Sequence, residues 1–100
     1  MNILRLPDHG TARSELHPEQ QLVRLQWKGP AAGAAYRDVL RDVAEQAHDL
    51  GARLLLMDAR KRGPLSAEDH DWTRQELLPI LHGAGLLRVA EVLADGEPGP

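Results

Sequence analysis

Asp58, Arg60, Ser66, Glu68, His70 and Trp72 share one short stretch, "RLLLMDARKRGPLSAEDHDW". These residue types could support two kinds of chemistry. A serine with a histidine and a carboxylate nearby could form a nucleophilic set. His70 follows Ser66 by four residues, which puts both on one side of a helix. Alternatively, Arg60-Lys61-Arg62 ahead of a helix start could hold an anion, because the first-turn amides and the helix dipole favour negative charge there.

The serine reading competes with a simpler one. Ser-Ala-Glu-Asp is the pattern of a helix start, in which the Ser66 hydroxyl accepts a first-turn amide. Glu68 and Asp69 then complement the dipole, and Asp69 can reach back in a capping box. There is no Gly-x-Ser-x-Gly elbow. Ser66 is therefore expected to be structural, and no catalytic residue is assigned. The five histidines show no HExxH spacing, and cysteine is absent. That excludes disulfides, Cys nucleophiles and thiolate metal sites. No metal and no cofactor is expected.

The anion reading depends on the elements around the loop. "RLLLMDA" carries four large apolar residues in a row, which suits a central parallel strand covered on both faces. Asp58 would lie at its carboxyl end, where open α/β sheets place ligand crevices. An anionic ligand there would touch Asp58, Arg60, Ser66, Glu68 and Trp72. The plainer alternative pairs Asp58 with Arg60 and neutralises the basic loop with Glu68, Asp69 and Asp71. Trp72 would then close over the loop as a core residue.

Other elements read clearly. "SELHPEQQLVRLQW" is a hairpin turning at His17-Pro18-Glu19-Gln20. Val23, Leu25 and Trp27 alternate with Arg24, Gln26 and Lys28, the period of a half-buried strand. Residues 34–50 switch to helical spacing, with Tyr36, Val39, Leu40, Val43, Ala44, Ala47 and Leu50 on one face. Gly51 is placed to end that helix. Residues 66–84 predict a second helix, kinked or split near 75–78 by Pro79. Residues 86–94 predict another strand, and residues 1–6 an optional edge strand. Residues 1–94 are expected to form one domain, and 95–100 a flexible acidic Pro/Gly tail. The fold class is α/β, a mixed sheet with β-β-α-β-α-β order.

One hundred residues allow a single small core. The 42% hydrophobic content is too high for disorder, and only three residues are aromatic. A net charge of −3 gives no global positive field, so no nucleic-acid partner is expected. The longest aliphatic run is too short for a membrane span, and the start lacks a secretory h-region. A cytoplasmic protein is expected. The excess of Arg over Lys would suit a GC-rich bacterial genome.

"LQWKG", the following helix with Tyr36-Arg37, "LLLMDAR", "LSAEDHDW" and "LLPILHGAGLLRVAEVL" occur in that order. This order resembles the SpoIIAA-like (STAS/SEC14-like) family of small bacterial proteins over about residues 14–93. The resemblance implies a STAS-type fold; this sequence departs from the family pattern in lacking the last α-β unit, which is expected to leave a sheet edge or a helix face open. The phosphorylatable serine of the antagonists, in an Asp-Ser context, is not matched, since Asp58 precedes Ala59. Three functions are weighed: a non-catalytic regulatory or protein-interaction domain, expected to form a homodimer or bind a protein partner; a small-molecule or lipid-binding module with an anionic ligand; and, least favoured, a hydrolase.

Overall fold

The computed structural model describes residues 2–94. The alternating segment forms the predicted hairpin. Strands β2 (Ala12–His17) and β3 (Leu22–Trp27) pair antiparallel from Ala12↔Trp27 to His17↔Leu22. A 3-10 turn, Pro18–Gln20, joins them, and Gln21 completes the reversal at φ 52°. The optional N-terminal strand is present as β1 (Leu4–Arg5), antiparallel to β2.

Helix α1 (Ala34–Asp49) buries Tyr36, Val39, Leu40, Val43, Ala44 and Ala47 of the predicted face, whereas Leu50 is the C-cap and is 44% exposed, because the helix ends one residue before it. It ends where Gly51 was placed. Gly51, at φ 68°, donates to His48 O at 3.2 Å, and Ala52 donates to Ala47 O at 2.9 Å. That pair of bonds is a Schellman motif, and its left-handed residue favours glycine. Strands β4 (Leu54–Asp58) and β5 (Arg88–Val92) then add in parallel. The sheet order is β1-β2-β3-β4-β5, giving a five-stranded mixed sheet.

The second helical region bends without breaking. It runs through α2 (Ala67–Trp72), a π turn at Thr73–Leu77 and α3 (Leu78–Gly83). Pro79 lacks an amide, and its ring crowds the carbonyl four residues back. The wider turn just before it absorbs that misfit while the dihedrals stay helical.

One expectation is corrected. β4 is not covered on both faces. Leu55 and Met57 are buried, but Leu54 and Leu56 are only half-buried. The chain steps from β3 to β4 to β5 in one direction across the sheet. Crossovers of one hand then bring both helical segments to the same face. Their buried residues join Val23, Leu25, Trp27, Leu55 and Met57 in a single core. The result is two layers, and no described element covers the other sheet face. The acidic tail expected at 95–100 lies outside the described residues.

Candidate functional site

Asp58 ends β4 with its carboxylate only 5% exposed. Among the described residues its hydrogen bonds come from Arg60, through the main-chain amide at 3.2 Å, Nε at 2.9 Å and Nη2 at 2.7 Å. The Arg60 side-chain hydrogen bonds outweigh the effect of burial and lower the Asp58 pKa to about 2. Trp27, Gln26, Asp58, Arg60 and Lys61 line a 280 Å³ cleft at the carboxyl ends of β3 and β4. This is where parallel α/β sheets place ligands. Trp27 is 1% exposed, and its indole Nε1 has no hydrogen-bond partner among the described residues.

The remaining predicted contacts lie outside this lining. Ser66 is the N-cap of α2, its Oγ accepting the Asp69 amide at 3.1 Å. Glu68 is exposed and accepts from Arg37 Nη2 at 3.4 Å. Asp69 departs from the capping box. Its oxygens accept the Gly33 amide at 2.9 Å and Arg37 Nε at 3.2 Å. Burial pushes the Asp69 carboxyl up, but the Gly33 amide and Arg37 outweigh it, so the pKa falls below the usual value. Asp69 thus ties the start of α2 to the start of α1. Gly33, at φ 58°, turns its amide toward that carboxylate in a conformation that disfavours other residues.

Trp72 is a core residue. Its ring meets Tyr36 edge-on at 5.8 Å between centroids, and Tyr36 stacks on Trp27 at 5.7 Å. The guanidinium carbons of Arg37 and Arg41 sit 5.6 and 5.3 Å from the Trp72 ring centroid. The Thr73 hydroxyl donates to Asp69 O at 2.8 Å. Thr73 Oγ1 must then accept from the Tyr36 hydroxyl, 2.7 Å away. Burial raises the Tyr36 pKa, which keeps the phenol protonated as that donor.

The basic triplet is not a uniform solvated patch. Arg60 and Lys61 are exposed, whereas Arg62 is 2% exposed. Its Nη1 donates to Glu91 at 3.0 Å and its Nε to Gly63 O at 3.1 Å. Its guanidinium lies 5.7 Å from the Tyr36 ring centroid. Sequence reasoning missed this pair. The available signal was Glu91 itself, a lone carboxylate inside the apolar strand "RVAEV", since buried charges need partners.

The uncovered sheet face carries residues in register. Leu22, Leu54 and Arg88 form one row, Arg24, Leu56 and Ala90 the next, and Gln26, Asp58 and Val92 a third. Among the described residues, no group of three or more His, Asp or Glu side chains is arranged to hold a metal ion. No described helix is long and apolar enough to cross a membrane. Comparison with protein-family models, curated proteins and solved structures finds no match.

Proposed function

We propose that this chain is a non-catalytic regulatory domain of STAS type that works by protein contact, with a second copy docking on its uncovered sheet face. The observation that carries this reading is the apolar stripe on that face. Leu22, Leu54 and Leu56 are half-buried, and Ala90 and Val92 are exposed. Covering such surface is favourable by about 25 cal/mol per Å², and sheet faces pack at a spacing of about 10 Å. The rim carries both signs, with Glu15 against Arg24 and Arg88. A face with mixed rim charges can complement itself across a two-fold axis. The groups with chemical potential in the loop are engaged with one another, Asp58 with Arg60 and Ser66 with the Asp69 amide. That favours binding over reaction. A bacterial cytoplasmic setting goes with this reading.

A second reading is a small-molecule module taking an anionic ligand at the strand-end cleft. The 280 Å³ volume and the unpartnered Trp27 N–H favour it. Sedimentation equilibrium tests the first reading. A dimer is expected at tens of micromolar, and Leu56→Asp is expected to give a folded monomer. A wild-type monomer at high micromolar concentration rejects it.

A further inference from the structure

A cavity larger than the strand-end cleft lies over the antiparallel half of the uncovered face. It measures 370 Å³, and its lining includes Arg5, Arg13, Glu15, Arg24, Gln26 and Lys28. The strand register explains why these side chains converge. Arg5 pairs with Glu15, and Glu15 with Arg24, so three strands place them in one row. Arg13 pairs with Gln26 in the next row. Alternation buries Ala12, Ser14, Leu16, Val23, Leu25 and Trp27 on the helix side and leaves the charged residues on the open side.

The site is short of acceptors. Lys28 is satisfied by Asp8, at 2.9 and 3.0 Å. Arg13 Nε donates to a neutral partner, Gln26 Oε1, at 2.9 Å. Glu15 is shared between His17 Nε2 at 3.1 Å and Arg24 at 4.0 Å. Arg24 Nε is buried with no partner among the described residues. Arg5 has no ion pair among the described residues. The lining thus holds three guanidiniums and Lys28 against two carboxylates, Asp8 taken up by Lys28 and Glu15 shared with His17, in a chain whose net charge is −3.

We infer that the Arg5–Arg13–Arg24 cluster on the open sheet face binds a phosphomonoester dianion. A phosphate group presents three oxygens and can accept forked contacts from more than one guanidinium, which a single carboxylate cannot do. The volume exceeds that of a bare phosphate and lies within the range of small-molecule pockets. The organic part of the ester has apolar surface beside it, Leu6 in the lining and Leu56 next to Arg24. Arg24 and Leu56 border both this cavity and the proposed docking face, whereas Arg5 and Arg13 lie on β1 and β2 outside the apolar stripe; ligand titration and sedimentation read the two proposals separately, so each can fail alone.

Phenyl phosphate and inorganic phosphate would be titrated into the 15N-labelled protein, following the arginine Nε–H signals. Vesicles of phosphatidylcholine with and without phosphatidic acid form a second arm. Saturable shifts at Arg13 and Arg24 below about 10 mM phenyl phosphate are expected, weakened at least tenfold by Arg5→Gln with Arg13→Gln and unchanged by Arg60→Gln. Binding of phenyl phosphate identifies a soluble ester. Binding of phosphatidic acid vesicles alone, lost in the same double variant, identifies a lipid headgroup. Absence of both, shifts equal in the double variant, or shifts confined to the Arg60 loop overturns the inference. A thermal melt matching wild type shows that the double variant is folded.

Discussion

Replacing Asp58 by Asn tests the strand-end ion pair as a source of stability. The native carboxyl titrates at about 2 instead of 3.8. At about 1.36 kcal/mol per pH unit, that difference corresponds to roughly 2.4 kcal/mol. Arg60 is 60% exposed, so solvent screening takes part of the effect. We expect a net contribution of about 1–1.5 kcal/mol. Because the folded pKa is depressed, the unfolded chain binds the proton first as pH falls. The contribution is therefore complete above about pH 5 and is lost as pH drops through 3.8 toward 2. Urea unfolding at a series of pH values from neutral to acid measures this directly. Asp58→Asn should be less stable than wild type at pH 7, and the two should converge near pH 2. Asn keeps an oxygen for the Arg60 amide, so the comparison isolates the charge. A constant gap between the two proteins across this range would refute the linkage between Asp58 and Arg60.

Ser66→Ala should cost about 0.5–2 kcal/mol in denaturant unfolding, and Ser66→Asp less, because Asp also caps a helix. Arg62→Met should cost about 3 kcal/mol, because it removes the buried cation from the half-buried Glu91 carboxylate; Arg62→Met with Glu91→Leu should recover much of that loss in the same assay. Tyr36→Phe should cost about 0.5–1.5 kcal/mol by thermal melting, since Thr73 keeps its bond to the Asp69 carbonyl.

Local pattern determined much of this molecule. Alternation set the β2–β3 hairpin, helical spacing set the buried face of α1, and Gly51 set its end. Ser66 was legible as a cap because a cap is satisfied within three residues of chain. The Asp58–Arg60 pair was legible as an alternative for the same reason, being two residues apart. The tertiary structure decided what depends on distant segments. Asp69 could have bonded backward to the amide of its own N-cap, but its carboxylate accepts the Gly33 amide and Arg37 from the start of α1. Arg62 looked like one of three equivalent loop cations until β5 brought Glu91 to it. The apolar run of β4 fits a strand covered on either one or two faces. Only the order of β3, β4 and β5 fixed both helical segments on one side and left Leu54 and Leu56 on the other. Register likewise drew Arg5, Arg13 and Arg24 together from three strands. Sequence spacing carries such information within a helix, a turn or a hairpin, whereas the pairing of strands separated by a helix, as in β3–β4 and β4–β5, is settled only by tertiary packing.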